Sequence, residues 1–505
     1  MKFASKFSES NNFSLIRFFL VVYFSFFIFH FSFAQFPGTW VAIYGGTNYD
    51  RGRGIAQTFD KGYIVSGTTS SYGIGNTNVY LLKIDSAGKY QWQNTFGGIN
   101  INNGYSVKQT QDSGFIISGY TNSFGNGGYD MFLVKTDSVG HLQWQKTYGG
   151  SDWDLGYWAE QTSDGGYILC GQTYSYGNNS QMYLVKTNSN GDTLWTKKFG
   201  GTNDEAAYEV HQTLDNGYIL AGYTTSFGAG NSDFYLVKTN SNGDTLWTKT
   251  YGGTADDSCT SVALCKDKGF LLGGSTQSNR TQKIYFLRTD SVGNVKDSNA
   301  VSPVGKGNNY ISRIRETKDL NYITLVNSGM GILLYKWTRG TGFGSWSSWG
   351  QSFGLVNDQA GYDLQQTSDS GFVLVGYTAS IGIGPDNIFI AKTNKLGDYN
   401  DTANSYVAVN EISEKDTSAL IYPNPFSENL FLKIHNSFFA DEKEFSFEVS
   451  DICGRGIMKT TKNVSPSFSE PIEIQIPSEK FKPGFYLASL QSGNKKIYRK
   501  LLFVK

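Results

Sequence analysis

The sequence predicts an all-β chain: a seven-bladed β-propeller closed by its N-terminal strand, then a small Ig-like β-sandwich. Three observations predict it. An Asp turn, as in Gln109-Thr110-Gln111-Asp112-Ser113-Gly114-Phe115, recurs at Asp60, Asp112, Asp164, Asp215, Asp267, Asp319 and Asp369, with gaps of 52, 52, 51, 52, 52 and 50 residues. A fixed period near 50 marks stacked supersecondary units. Each period holds four strand-like runs and no helical stripe of period 3.6, which is the content of one propeller blade. A Trp four residues before an aromatic-Gly pair ends most periods: Trp40 and Tyr44, Trp92 and Phe96, Trp144 and Tyr148, Trp195 and Phe199, Trp247 and Tyr251, Trp349 and Phe353. The period between Trp247 and Trp349 lacks its Trp, expected near Asn299. Composition agrees, with 59 Gly, 9 Pro and 15% aromatic residues in 505, a profile of short strands, tight turns and aromatic-filled pleats.

Taken in order, residues 1–34 read as a signal peptide. Lys2, Lys6 and Arg17 precede an apolar run from Phe18 to Phe33, and Ser32-Phe33-Ala34 offers a cleavage site before Gln35. A run of this length also approaches a membrane span, but the cleavage-like end favours export and no span after cleavage. No Cys follows the run, so a lipid anchor is not indicated. The propeller is placed at 35–397. It begins with a lone fourth strand, Thr39 to Ile43. The repeat from Gly97 to Tyr148 predicts strands at Tyr105–Thr110, Phe115–Tyr120, Met131–Thr136 and Leu142–Thr147. An Asp-x-Gly turn joins the first two, Asp bonding nearby N–H groups and Gly accepting positive φ. The last repeat has strands at Asp363–Thr367, Phe372–Tyr377 and Ile388–Thr393 and no fourth. The N-terminal strand is expected to complete it, pairing two otherwise open edges.

The stretch Asp85-Ser86-Ala87-Gly88-Lys89-Tyr90-Gln91-Trp92 resembles the tryptophan-docking motif of quinoprotein-type propellers, which implies that each outer Trp contacts the neighbouring blade. The repeats are also similar to those of secreted β-propeller proteins from Bacteroidetes-type bacteria. After a polar linker, 398–418, residues 419–505 change character. Tyr422-Pro423-Asn424-Pro425, Asp451-Ile452-Cys453-Gly454-Arg455, Lys482-Pro483-Gly484-Phe485-Tyr486 and the terminal Lys500-Leu501-Leu502-Phe503-Val504-Lys505 occur in that order. They resemble the C-terminal sorting domain, type A, of the type IX secretion pathway. The resemblance implies an outer-membrane translocation signal, recognised by the type IX machinery and removed after export. Its motif residues here are Tyr422, Pro423, Asn424, Pro425, Asp451, Gly454, Arg455, Pro483, Gly484 and Tyr486. Alternating runs predict strands at Leu430–Ile434, Phe445–Ser450, Ile457–Thr461, Ile472–Ile476, Phe485–Leu490 and Ile497–Val504.

Chemistry is sparse. The formal net charge is zero and no basic stripe stands out, so nucleic acid is not an expected partner. Cys170, Cys259, Cys265 and Cys453 are too few for a disulfide framework and read as buried small hydrophobes. The mature histidines are His141, His211 and His435, without zinc spacing, and no Gly-x-Ser-x-Gly is complete. The Asp turn superficially resembles the Asp-box of sialidase propellers, where it is a structural turn away from the catalytic site. A better candidate is the connection between blades. Asn48, Asn100, Asp152, Asn203 and Asn357 follow the Gly pairs, and Asp50, Asn102, Asp154, Glu205, Asp257 and Gln359 stand two residues further on. They read either as repeated structural Asx turns or as a polar crown binding a glycan or cation, with Tyr49, Trp153 and Trp158 offering stacking surface. First strands are expected to line a channel with Lys108, Glu160, His211, Arg315 and Gln365. Arg280, Lys283, Arg288, Arg313 and Arg315 cluster in the two divergent repeats.

The functional expectation is an exported, non-enzymatic binding module at the cell surface or outside it, with polysaccharide or another surface macromolecule as partner. The alternative is a secreted glycan-active hydrolase or lyase using crown carboxylates. No cofactor is expected, and the Gly-rich loops leave a structural calcium ion open.

Overall fold

The computed structural model describes residues 38–277, 282–302, 309–329, 331–338, 349–353, 358–382 and 384–399, and in the tail chiefly the strands between 419 and 503. Residues 1–34, where a signal peptide is expected, Arg280, Asn357, nearly all of 398–418, where a linker is expected, and Cys453 lie outside the described residues. The chain divides into two compact units, Met1–Val407 and Ala408–Lys505.

Eight four-stranded antiparallel sheets and one three-stranded sheet are described, a repeated architecture that resembles propeller blades. Seven of the eight fall between Trp40 and Thr393, here called sheets 1 to 7 in order of their first strands. Sheet 2 shows the plan: Asn102–Gln109, Phe115–Thr121, Asp130–Thr136 and Leu142–Tyr148, each paired with the next. The third strand is buried at every position and the fourth largely is not. That is why the former reads as a continuous apolar run and the latter as a polar one. First strands of the other sheets are Asp50–Gln57, Asp154–Gln161, Glu205–Gln212, Asp257–Leu264, Tyr310–Glu316 and Gln359–Gln366. Each packs against the next, and Gln359–Gln366 packs against Asp50–Gln57. Sheet 7 takes its fourth strand from the start of the chain: Trp40–Tyr44 pairs with Asn387–Thr393, Trp40 opposite Lys392.

The Asp turn is built differently from its sequence reading. Positive φ falls on the residue before the Gly, at Lys61, Ser113, Asn216, Lys268 and Ser370, on Gly165 in sheet 3, and on Leu320 in sheet 6, where Asn321 takes the place of the Gly. The following Gly is required for space: a Cβ on Gly114 would lie 2.2 Å from the Thr136 carbonyl oxygen. Asp112 accepts bonds from Gly114 N at 3.0 Å and Thr110 Oγ1 at 2.5 Å. It also accepts from the buried Lys135 ammonium at 2.8 Å. Lys83–Asp60, Lys186–Asp164, Lys238–Asp215, Arg288–Asp267, Lys336–Asp319 and Lys392–Asp369 repeat that pair. Burial opposes ionisation of these carboxyls, but the Thr hydroxyl and the Lys ammonium outweigh it and hold Asp215 down at about 2.

Each outer Trp packs on the next sheet. Trp92 lies against Gly140 and Phe115, its centroid 5.9 Å from that of Phe115. Trp40 does the same from sheet 7 onto Gly88 and Tyr63 of sheet 1. In sheet 5 the Trp position is Asp297, opposite Arg288 as Trp247 is opposite Lys238, rather than Asn299. Apolar clusters span adjacent sheets, as Leu81 and Phe96 with Val107, Ile117 and Phe132. Cys170, Cys259 and Cys265 are buried and form no disulfide among the described residues.

In the second unit, Ala419–Tyr422, Asn429–Ile434 and Ile472–Pro477 form one sheet. Gly456–Asn463, Glu444–Asp451, Gly484–Ser492 and Lys495–Phe503 form the other. Leu432, Ile434 and Ile476 of one share a core with Phe447, Val449 and Leu490 of the other, the arrangement of a sandwich. Ala419–Tyr422 was not read as a strand because four residues ending at a Pro carry little alternation. Among the sorting-motif residues Tyr422, Asp451 and Gly484 lie on strands and Tyr486 is buried; Pro423, Asn424, Pro425, Gly454, Arg455 and Pro483 lie outside the described residues.

Candidate functional site

Every first strand carries one register shift at the same place. The residue left unpaired is Arg53, Tyr105, Tyr157, Tyr208, Thr260, Ser312 or Tyr362, in sheets 1 to 7. A bulge sets two residues against one and re-aims the extra side chain. In sheets 1, 2, 3 and 7 a Gly precedes the bulge, and a Cβ on Gly104 would lie 2.6 Å from Gly67 O of the preceding sheet; in sheet 6 Ile311 holds that place. The seven extra side chains converge, and with Tyr310 and Arg313 they line a cup of about 280 Å³.

Tyrosine dominates it. Tyr105 and Tyr157 have ring centroids 5.3 Å apart, Tyr157 and Tyr208 5.2 Å. All are half-buried, presenting both ring and hydroxyl. Burial raises the phenols of Tyr157 and Tyr208 and takes Tyr310 up to about 12, so they remain protonated donors at neutral pH. Arg53 is held between the faces of Tyr105 and Tyr362, at 4.6 and 4.5 Å. No carboxylate lines the cup among the described residues.

Beneath the cup lies a buried charged layer. Glu209 accepts from Arg315 Nη2 at 2.7 Å, Ser261 Oγ at 2.7 Å, Val262 N at 3.0 Å and His211 Nε2 at 3.1 Å. Arg313 Nε donates to Asp363 at 2.8 Å, and Asp363 accepts from Ile55 N of sheet 1 at 3.0 Å. His211 sits between Glu160 at 2.9 Å and Glu209. Burial lowers its pKa and the two carboxylates more than reverse this, lifting it to about 9. Trp158 is fully buried, with Lys108 and Arg313 over its ring at 4.4 and 4.6 Å. Ion pairs and cation–π contacts hold this layer together. Among the described residues no three His, Cys, Asp or Glu side chains are placed to hold a metal ion.

The structure divides the crown residues. Asp50, Asn102, Asp154, Glu205 and Asp257 are buried and bond the Gly pairs of their own connections, as Asp154 accepts from Gly150 N at 2.7 Å and Ser175 Oγ at 2.6 Å. They are therefore not an exposed crown. Their hydrogen bonds are those of structural Asx-type clamps. Asn48, Asp152, Trp153 and Asn203 are exposed on connections. Asn48 and Asn203 still bond neighbouring loops, Asn48 N to Ser71 Oγ at 3.0 Å and Asn203 N to Ser226 Oγ at 2.9 Å. Trp158 offers no stacking surface, being wholly covered. Lys108, Glu160, His211 and Arg315 are half-buried members of the charged layer, and Gln365 accepts from Gln57 N at 2.7 Å. Arg288 pairs with Asp267 and Asp297, whereas Arg313 and Arg315 pair with Asp363 and Glu209, so Arg288 shares no acidic partner with the other two among the described residues.

Sequence reasoning missed the tyrosine cup because a bulge is a property of two paired strands. Its trace is a Gly followed by a Tyr, three positions after the clamp residue Asn102 or Asp154 in Gly104-Tyr105 and Gly156-Tyr157, and after Gln359 in Gly361-Tyr362.

One clamp is under-satisfied. Asp130 and Asp154 face each other across sheets 2 and 3, and Asp130 Oδ2 and Asp154 Oδ1 are buried without hydrogen-bond partners. At the equivalent place Gln181 Nε2 donates to Glu205 at 3.1 Å. Burial first, then Asp154, raises the Asp130 carboxyl above its unfolded value of 3.8, against two backbone N–H bonds. A raised folded pKa means stability that falls as pH rises through that window. Asp130→Asn is thus expected to add about 1 kcal/mol at pH 7, a gain that shrinks toward pH 4, read from thermal unfolding midpoints at both pH values.

Residues 420–505 match the family described as the secretion system C-terminal sorting domain. That match supports export by the type IX system. No curated protein matches the chain. Among solved structures, Sqt1 from Chaetomium thermophilum aligns with a TM-score of 0.41 and 10% identity, over 70% of this chain and 98% of that one. A puromycin hydrolase aligns at 0.36 and 11% identity, over 54% of this chain and 43% of that one. A glucose dehydrogenase aligns at 0.36 and 11% identity, over 60% and 100%.

Proposed function

We propose that the chain is an exported binding module: a seven-bladed propeller, closed by Trp40–Tyr44, that takes a saccharide in its tyrosine cup. A Sec signal peptide and the sorting domain deliver it to the cell surface or beyond, in a Bacteroidetes-type envelope. The observation that carries the reading is the convergence of the bulged side chains on one cup. Half-buried tyrosines offer flat apolar faces and hydroxyl donors together, the two-sided surface that a sugar ring needs. The cup's lining favours binding over turnover, since the groups nearest it are phenols, hydroxyls and the guanidinium groups of Arg53 and Arg313. Exposed Asn48, Asp152, Trp153 and Asn203 extend the contact surface on the connections, where binding residues commonly lie.

The mature full-length protein, applied to a glycan array and assayed for new reducing ends, is expected to bind without cleavage. Tyr157→Ala should weaken that binding about tenfold, the equivalent of roughly 1.4 kcal/mol. Cleavage of a bound glycan, or binding indifferent to Tyr157→Ala, overturns the assignment.

A further inference from the structure

The arginines near the cup differ in how they are satisfied. Arg51 pairs with Asp386 at 2.5 Å, Arg313 with Asp363 at 2.8 Å and Arg315 with Glu209 at 2.7 Å. Arg53 makes no ion pair among the described residues, and its Nε is buried without a hydrogen-bond partner. Two tyrosine faces fix its guanidinium at the cup wall. Ring contacts orient a cation but leave its in-plane N–H donors open. A planar fork held this way matches a carboxylate in two-point fashion. It also stands at a bulge position that is Tyr in four other sheets, so no structural demand of the blade explains the charge.

A second observation gives the ligand its shape. Aromatic contacts continue outward from the cup, Tyr105 to Tyr120 at 5.5 Å, Tyr120 to Tyr129 at 5.3 Å and Tyr129 to Trp153 at 5.4 Å. Trp153 ends the run half in solvent, 51% exposed. A cup of about 280 Å³ displaces on the order of nine waters, which suits one sugar ring, and the run beyond it suits the rings that follow.

We propose that the cup selects a chain of sugar rings ending in a uronic acid, and that Arg53 reads the ring carboxylate. This rests on the saccharide-binding reading above. Titration calorimetry of the full mature protein would use a hexuronate tetramer, the neutral hexose tetramer of the same linkage, and its sulfated form. The uronate is expected to bind at least tenfold tighter than the neutral chain. Arg53→Gln should weaken uronate binding about tenfold more than neutral binding and so abolish that difference, and Arg53→Lys, which keeps the charge and loses the fork, should retain part of it. Tyr157→Ala should weaken uronate and neutral chains alike. Equal wild-type affinity for uronate and neutral tetramers overturns the carboxylate inference and leaves the saccharide reading standing. A sulfated chain that gains as much as the uronate overturns the carboxylate assignment in favour of anions in general. If Arg53→Gln, with an unchanged melting temperature, loses neutral and acidic binding equally, Arg53 is not the reader. If none of the three binds, the saccharide reading falls as well.

Discussion

Replacing Glu209 by Gln is expected to destabilise the first unit by about 3–5 kcal/mol, the range found when one partner of a buried ion pair is removed. Glu209 has no exposed surface and serves Arg313, Arg315, His211, Ser261 and Val262 at once. Burial pushes its carboxyl up, and the two arginines and His211 more than offset this and hold it well below the usual range. A neutral amide keeps the shape, loses the charge and turns an N–H₂ toward guanidinium groups that can only donate. The cations would then face one another over Trp158. A urea midpoint that falls without a change in slope would establish the loss as one of stability. pH dependence supplies a second readout. His211 is raised from 6.5 to about 9, so its stabilising contribution is complete below pH 6.5 and is lost as pH rises through about 9. In Glu209→Gln one of its two carboxylate partners is gone, and that decline between pH 6.5 and 9 should flatten. An unchanged midpoint and an unchanged slope with pH would mean that the buried layer does not hold the sheets together.

The second large effect is expected from the closing strand. Removing residues 38–44 should leave the first unit unable to remain monomeric. Trp40–Tyr44 covers the edge of Asn387–Thr393, a strand buried at all seven positions. Uncovered, that edge presents unpaired backbone beside an apolar face, the arrangement that recruits other chains. The strand also joins sheet 7 to sheet 1: Trp40 Nε1 donates to Ser86 O at 3.0 Å, Tyr44 Oη donates to Gly88 O, and Ile43 enters the core with Leu364 and Phe389. Trp40→Ala alone should cost about 3–5 kcal/mol by loss of a buried indole. Light scattering on the truncated protein would show association. A permuted chain carrying residues 38–44 after Asp398, through a short linker, should be monomeric again. A truncated protein that stays monomeric with its melting temperature intact would remove closure from the account.

The sequence made the repeat legible because its markers are local. Asp112, Ser113 and Gly114 are consecutive, and Trp144 to Tyr148 is one strand, so each reports itself without knowledge of its neighbours. The paired Lys135 lay hidden because its Asp is 23 residues away and an isolated Lys in an apolar run reads as a solvent-facing interruption. The connection carboxylates were visible as types but not as directions. Asp154 turns back on Gly150 and Ser175, and nothing in the string separates that from a side chain aimed at a ligand. Tyr105, Tyr157 and Tyr362 were hidden for a different reason. Alternation assigns a face by counting, and the bulge shifts the count by one on one strand of each pair.

That shift has a consequence for how such a fold can change. The bulge is a feature of the paired backbone and keeps its place whether Gly52, Gly104, Cys259 or Ile311 precedes it, so the side chain at its apex is re-aimed whatever its type. The chain already seats Arg53, Tyr105, Thr260 and Ser312 there with the same register shift around each. Seven sockets, each open to reassignment without disturbing the scaffold that carries it, would let one architecture be retargeted from one ligand to another by substitution at the rim of a single cup.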